Sequence, residues 1–468
     1  MRRRPRPRAS DLQKLEALLR DPTTYAEGEA IPIKHTGRRR KQPPFMLVVY
    51  QAAVSIYHTA REVETQFEDP RRWRFMRHIV KSVFPDRPEM WLPAKAMTRG
   101  QYLYGRRYLT DPAVIERRRQ IATASAVELA RSIGMLDPDG PGSITRPETP
   151  RMPDGDGKVI EPAIKGQLGQ TRVDPKTQER VQVRYDPDAG SHREGGGAEE
   201  VYGTKFLSVS VRNDEDRVML DVRYVPFSGE GGEAGVALES FASIHPLAPG
   251  VIGVIWDMAV RGVHIDRIMR ELGWLTVTGV AAKEHHVRRG QKGGRRVEKE
   301  RLVEVRTVKA LDGTEVKVRL LARRGALGIS TLDEDGNHLW EPLERLQTIR
   351  RRDKGGFRFY NRYRLPPGYV KKDILVRLHG DASDARRKLN RAENLRAIPP
   401  GDPDFDRLYS RRSDAESLND EIERSLYLKK AHSIGHLGQE SDLLGFMRLH
   451  NALVLARRRV RERLQLVG

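Results

Sequence analysis

The chain has 468 residues, enough for about two to four domains, and 38% of them are hydrophobic. A formal net charge of +21 favours a polyanionic partner such as nucleic acid. The absence of Cys excludes disulfides, thiolate zinc sites and a thiol nucleophile. The apolar run GVIGVIWDMAV is too short to span a bilayer, and no signal-peptide core follows the basic start MRRRPRPRAS. We therefore expect a cytoplasmic, nucleoid-associated protein with no membrane partner.

The N-terminal part of the chain has helical patterns. Residues 1–9 are predicted to be a disordered basic arm and residues 10–137 an all-helical region, with Ser10 or Asp11 as the first N-cap. The stretch PFMLVVYQAAVSIYHTAREVETQF predicts one buried helix. RRWRFMRHIVKSVF and MTRGQYLYGRRYLT interleave basic and aromatic side chains, which suits phosphate contacts. We expect this region to bind DNA, although helices with solvated basic faces would give the same pattern.

Strand patterns begin after the Pro- and Gly-rich stretch DPDGPGSITRPETP. GKVIEPAIKG and the hairpin VYGTKFLSVSVRN/RVMLDVRYVP predict strands, EAGVALESFASI a helix and PGVIGVIWD a buried strand. VRGVHIDRIMRELG then predicts a helix and WLTVTGV a strand. This alternation predicts an α/β sheet over residues 150–282. The polar, Gly-rich residues from about 167 to 199 are predicted to form a loop.

Residues 283–400 predict a β-rich segment, because RLVEVRTVKA, VKVRLLARRGALGIS and FRFYNRYRL are separated by turn sequences. The dense positive stretch KEHHVRRGQKGGRRVEKE begins this segment. Its Arg295 and Arg296 are candidates for lining a DNA channel, with a solvated loop as the equal alternative. Residues 401–468 return to helical patterns.

Several acids are placed where phosphodiester chemistry would need them. Such chemistry uses two divalent ions about 3.5–4 Å apart, and Mg²⁺ prefers carboxylate oxygens. Asp257 ends a buried strand, where an acid needs a partner or an ion, or else caps the next helix. Asp156 starts a strand in DGDGKVI, with Asp154 as an equal local competitor. Asp221, in the middle of a strand, is a rival first acid.

Three segments, DGDGKVIEPAIKG, PGVIGVIWDMAVRGVH and YSRRSDAESLND, together resemble DDE transposases of bacterial insertion-sequence type. The last segment is similar to the Tyr-x2-Arg-x3-Glu-x6-Lys signature of one large group of these enzymes. Tyr409, Arg412 and Glu416 match its spacing, whereas Glu423 stands at the lysine position. The resemblance covers roughly residues 150–450 at the level of segment order.

The resemblance implies an α/β RNase H-like catalytic core with a β-rich insertion, plus an all-helical N-terminal DNA-binding region. The core would be formed by residues 150–282 and 401–468. Residues 283–400 would be the insertion, and residues 10–137 the DNA-binding region.

The resemblance also implies roles for individual residues. Asp156, Asp257 and Glu416 would be catalytic and would hold two Mg²⁺ ions, or Mn²⁺. The same resemblance implies which residues would contact DNA. Arg412, one helical turn before Glu416, would meet a phosphate, and Tyr409 on the same helical face would contact phosphate or a displaced base. One of the nearby lysines, Lys429 or Lys430, would substitute for the missing signature lysine.

The function implied is that of a DNA transposase, which nicks transposon ends and transfers the strands to target DNA. It would act on double-stranded DNA as a homodimer on paired ends. Two alternatives stay open. One is a catalytically inactive, domesticated transposase that binds DNA, because Glu423 replaces the signature lysine. The other is a metal-dependent DNA nuclease with the same core.

Overall fold

The computed structural model of the chain describes residues 9–32, 41–194, 199–227, 232–280, 283–286, 295–332 and 338–467. The predicted basic arm, residues 1–9, lies outside the described residues except for Ala9. The chain divides into two compact units. The first contains Met1–Ile133, Gly157–Gly232 and Glu416–Gly468, and the second contains Gly134–Asp156 and Glu233–Ala415. None of the helices in the described ranges combines the length and apolar character needed to cross a bilayer.

The helices follow the chain in this order: α1 (Asp11–Arg20), α2 (Pro22–Glu29), α3 (Phe45–Tyr57), α4 (Ala60–Glu68), α5 (Pro70–Val83), α6 (Arg99–Leu109), α7 (Pro112–Ser132), α8 (Gly232–Ile244), α9 (Gly262–Arg267), α10 (Ala382–Arg386), α11 (Arg391–Asn394), α12 (Pro403–Tyr409), α13 (Arg412–Ser425) and α14 (His436–Val467). A π-helical turn, Ile268–Leu272, extends α9 and ends at Gly273, whose φ of 68° favours glycine.

The strands follow the chain in this order: β1 (Asp154–Ile160), β2 (Thr171–Val173), β3 (Arg180–Gln182), β4 (Gly190–Glu194), β5 (Glu199–Arg212), β6 (Arg217–Val225), β7 (Gly253–Ile255), β8 (Leu275–Val277), β9 (Lys283–His286), β10 (Arg295–Glu298), β11 (Glu300–Lys309), β12 (Glu315–Arg323), β13 (Ala326–Leu332), β14 (His338–Pro342), β15 (Arg345–Asp353), β16 (Gly356–Arg364) and β17 (Asp373–Arg377).

Helices α1 to α7 and α14 form the apolar core of the first unit. Ser10, not Asp11, is the N-cap of α1, and it forms a capping box with Gln13. Helix α3 is apolar on almost every side, and α1, α2 and α14 pack against it. The prediction of one helix across this region is wrong, because His58 has a φ of 65° and separates α3 from α4.

A buried ion-pair network crosses this helical core. We define it as Asp21, Glu27, Arg118 and Arg448, whose side chains are at most 3% exposed. The Glu27 carboxylate lies 3.0 Å from the Arg118 guanidinium and 3.1 Å from that of Arg448. Arg448 also donates to Asp21 at 2.8 Å. Each charge is paired, so the network joins α2, α7 and α14 without leaving a buried charge uncompensated.

The first unit also contains a sheet. Strands β4, β5 and β6 are antiparallel neighbours, and the end of β1 lies beside β5. The predicted hairpin of β5 and β6 is confirmed. The predicted loop over residues 167–199 is wrong, since it contains β2, β3 and β4. Strands β2 and β3 bury no residue, so they have no apolar alternation that a sequence pattern would reveal.

The second unit has short parallel strands followed by antiparallel sheets. The start of β1 pairs with β7, and β7 pairs with β8, all in parallel. Helix α8 precedes β7, and α9 connects β7 to β8, as the alternating pattern predicted. Further along the chain, β11 to β14 form one antiparallel sheet and β15 to β17 another. Helices α10 and α11 are short, and Lys388, with a φ of 53°, lies between them.

Candidate metal centre

The parallel register of β1 and β7 brings two of the predicted acids together. Asp154 of β1 lies opposite Ile255 of β7. Asp156 lies two residues after Asp154, and Asp257 lies two residues after Ile255, so the parallel register places the two acids side by side. Asp257 lies just beyond the carboxyl end of β7, a position at which parallel α/β sheets bind ligands. The sheet geometry therefore explains why acids 101 positions apart in the sequence meet.

Helix α8 brings a third carboxylate to this point. Glu233 is the second residue of the helix. The fully buried Trp256, beside Asp257, meets Phe241 of α8 edge to face with ring centroids 5.2 Å apart. This packing fixes the helix against the end of β7. Glu233 was not predicted as a site residue.

Asp156, Glu233 and Asp257 form a group that has the composition of a metal site. One carboxylate oxygen from each residue lies within 4.8 Å of the others, and all three residues are half-buried. Hard oxygen donors of this kind suit Mg²⁺ or Mn²⁺. The three carboxylates therefore fit a divalent cation by charge and by donor chemistry.

The position of Asp257 is fixed by its neighbours. Its Oδ1 accepts a hydrogen bond from the Ala259 N–H at 2.8 Å, and its carbonyl oxygen accepts one from the Thr278 hydroxyl at 2.6 Å. The N-cap of α9 is Arg261. Asp257 therefore does not cap the next helix, which was the alternative to a role in the site.

Tyr409 of the signature lies close to this group in the second unit. Burial raises the pKa of its hydroxyl, and the negative charges of Asp257 and Asp156 raise it further. The positive charge of Arg412 and a hydrogen bond from the Gly279 backbone act in the opposite direction. The Tyr409 ring also stacks on Phe405, with centroids 4.8 Å apart. The tyrosine hydroxyl thus lies within the electrostatic field of two of the acids.

The prediction that the three signature residues lie on one helix is wrong, because they are divided between α12 and α13. Tyr409 is the last residue of α12, and Arg412 is the first residue of α13. Glu416 is exposed on α13, one turn after Arg412, and belongs to the first unit. The group of three carboxylates does not include it. Its role as a metal ligand stays a prediction.

The two rival first acids lie outside the group of three carboxylates. Asp154 is buried, 4% exposed, within β1. Asp221 is fully buried in β6 of the first unit, where it pairs with Arg223 at 2.6 Å and lies 3.9 Å from Arg119. These contacts give Asp221 a structural role in the first unit.

Glu423, at the signature's lysine position, is bound to two lysines. Its carboxylate lies 2.6 Å from Lys158 of β1 and 3.3 Å from Lys429. Burial raises the pKa of Glu423, but the hydrogen bonds and positive charges of both lysines outweigh that effect and lower it. Positive charge is therefore present at this position although the signature lysine is not.

The remaining predicted DNA contacts lie in two other places. Lys430 follows Lys429 in the turn after α13. Arg295 and Arg296 lie in β10, opposite His286 and His285 of β9 in an antiparallel pair. These arginines are thus in a hairpin strand, and their contact with DNA stays a prediction.

A comparison with protein-family models and a comparison with curated proteins each find no match to this chain. The resemblance to DDE transposases thus rests on the residues and segment order described above.

Proposed function

We propose that this protein is a metal-dependent DNA transposase, which nicks the ends of its element and transfers the strands. The observation that carries the proposal is the group formed by Asp156, Glu233 and Asp257. The net charge of +21 supports DNA as the substrate. The proposal includes an RNase H-like core, because two acids that adjacent parallel strands bring side by side suit that arrangement.

Electrostatics favours a cation within the group. Two unit charges 4.8 Å apart repel each other by about 3.5 kcal/mol at an effective dielectric constant of about 20, and by about 0.9 kcal/mol in bulk water. Three carboxylates give three such pairs. A divalent ion offsets this repulsion, whereas a group with no ion-binding role would be more stable with an amide at one position.

Each residue has a chemical role in the proposal. Asp156, Glu233 and Asp257 would hold the ion, with Glu416 as the further ligand that the resemblance implies. When bound, Mg²⁺ supplies an activated water at neutral pH and neutralises charge on the phosphate. Tyr409 orients a phosphate or a displaced base, because its ring is clamped by Phe405.

Arg412, beside Tyr409, would bind a phosphate oxygen of the cleaved strand. The negative charge of the phosphate and the positive guanidinium attract each other, and the planar fork of Arg suits bidentate contact. The bound strand would then be aligned with the carboxylates before chemistry begins.

Cleavage of DNA that carries the ends of the encoding element tests the proposal. The wild-type protein should nick these ends in the presence of Mg²⁺ or Mn²⁺, and EDTA should abolish nicking. Asp257→Ala, Glu233→Gln and Glu416→Ala should each lose nicking while they still bind the DNA. Glu239→Gln is the matched control, because Glu239 is exposed on the same helix as Glu233.

The products separate this proposal from its alternatives. Joined strands identify a transposase, and nicked ends with no joined product identify a nuclease. Equal binding by wild type and all variants, with no cleavage in either metal, would instead identify an inactive DNA-binding protein.

A further inference from the structure

A strained turn follows helix α13 in the first unit. Leu428 has a φ of 51° and Lys429 a φ of 61°, and a hydrogen bond from the Lys430 N–H to the Tyr427 carbonyl closes the turn at 3.0 Å. Two consecutive positive φ values belong to a turn type that favours Asn and Gly. Elsewhere in the described ranges, non-glycine residues with positive φ occur singly.

The turn has a fixed base and an exposed tip. Leu426 and Ala431, on either side of it, are buried. The Ala431 N–H donates to the Glu161 carbonyl at 2.9 Å, which attaches the turn to the end of β1. At the tip, by contrast, Leu428 is 72% exposed and Tyr427 is 54% exposed. A turn with an anchored base and an exposed apolar tip can insert its apolar side chain into a binding partner.

The strain is not required for chain reversal. Asn-Gly at the two central positions would make the same turn at lower cost, and both residues would be compatible with solvent. Strained backbone that persists in a folded protein occurs most often at functional sites. The large apolar side chain of Leu428 and the charge of Lys429 are therefore the features that need an explanation.

Positive charge surrounds the tip. Lys429 is 74% exposed, and its ion pair with Glu423 also includes Lys158, which is 23% exposed. Exposed ion pairs are weak, so a phosphate group can take over Lys429 at little cost. An apolar side chain flanked by lysines is the arrangement with which DNA-bending proteins unstack a base step.

We propose that the turn Tyr427–Lys430 is a wedge that enters duplex DNA at the element's end. The Leu428 side chain inserts against the bases and unstacks one step, while Lys429 and Lys158 contact the adjacent phosphates. This inference rests on the proposed function, because the duplex that it distorts is the substrate. It adds a distortion step that the three carboxylates do not supply.

The test uses the full chain in EDTA, with end duplexes that carry the fluorescent base 2-aminopurine at successive positions. Wild type should bind, and fluorescence should rise at one position or at two neighbouring ones, because unstacking relieves quenching. Leu428→Asn should abolish that rise while the protein still binds the duplex through its phosphate contacts. Its melting temperature should rise by roughly 2–4 °C, since Asn accepts the left-handed conformation.

Leu311→Asn is the matched control. Leu311 is 74% exposed in the turn between β11 and β12, so the substitution removes an equally exposed leucine. It should leave the fluorescence rise unchanged. Lys429→Met should lower the slope of log affinity against log salt by about 0.9, the value for one lost phosphate contact on duplex DNA.

The outcomes distinguish the wedge from the proposed function. If wild type binds the end duplex but fluorescence rises at no position, or if Leu428→Asn keeps the rise, the wedge is refuted and DNA binding stands. Absence of end binding by wild type would refute both. Loss of the rise in Leu428→Asn, with binding retained and with Leu311→Asn unaffected, would establish the wedge.

Discussion

The effect of Glu233→Gln on thermal stability should change sign when Mg²⁺ is added. In metal-free protein, the Glu233 carboxylate repels those of Asp156 and Asp257, whose oxygens lie within 4.8 Å. Half-buried groups lie between the bulk-water and protein-surface limits, so about 1 kcal/mol for each pair is a conservative value. Gln removes two of the three repulsive pairs. The metal-free variant should therefore be more stable than wild type by about 2 kcal/mol.

Saturating Mg²⁺ should reverse that order. Binding to the native state alone stabilises a protein by about 2.7 kcal/mol when the free ion is one hundred times its dissociation constant. Wild type gains this stabilisation, whereas the variant has lost a charged ligand and should gain less than about 0.7 kcal/mol, the excess of 2.7 over 2 kcal/mol. Wild type should then melt at the higher temperature. Calorimetric or fluorescence melting in EDTA and in MgCl₂ measures both states.

The control for this experiment is Glu239→Gln, which removes a carboxylate from α8 away from the group of three. Its melting temperature should respond to Mg²⁺ as wild type does. A shift of the same sign and size for Glu233→Gln with and without Mg²⁺ would show that Glu233 holds no ion, and the reasoning from charge repulsion would fail.

Three further predictions concern the first unit. Glu27→Gln takes the carboxylate from the buried Arg118 and leaves Arg448 paired with Asp21, so it should lower the free energy of unfolding by about 3–5 kcal/mol in urea titrations. A loss below about 1 kcal/mol would contradict this account. Glu423→Gln removes the carboxylate that competes with DNA for Lys158 and Lys429, so it should raise the affinity for DNA while the salt slope stays near that of wild type, and an unchanged affinity would refute that. Burial raises the pKa of Glu421, but the hydrogen bond and charge of His450, together with the charges of Arg217 and Arg424, outweigh it and lower the pKa to about 2. The stability that these contacts give is present above pH 4.5 and is lost as pH falls toward 2, so Glu421→Gln should flatten a melting profile across that window.

Sequence patterns could predict the elements that carry Asp156 and Asp257, because alternation and apolar runs depend on neighbours in the chain. They could not single out Glu233. An acid in the first turn of a helix is ordinary, since it interacts favourably with the helix dipole. Its significance depends on the packing of Trp256 against Phe241, which joins residues distant in sequence.

The breaks in the predicted helices have the same origin. Neither Gly nor Pro marks the break at His58 in the sequence. The His58 ring instead lies 3.2 Å from the carbonyl of Ser425, which is 367 residues away along the chain. Leu428 and Lys429 likewise resemble helix residues in the sequence. The attachment of their turn to Glu161 holds them in a conformation that local preferences oppose.

The resemblance implies that Glu416 is a metal ligand, and counting bound ions tests that expectation. Two divalent ions carry four positive charges, whereas Asp156, Glu233 and Asp257 carry three negative charges. A fourth carboxylate would complete the balance before DNA binds, and Glu416 is the residue that the signature indicates. Titration with Mn²⁺, followed by its paramagnetic resonance signal, should therefore find two ions bound to wild type. Glu416→Gln should keep one ion and weaken the second, while Asp257→Ala should weaken both. Two ions bound equally well to Glu416→Gln and to wild type would remove Glu416 from the ligand set, and the resemblance would then fail at that residue.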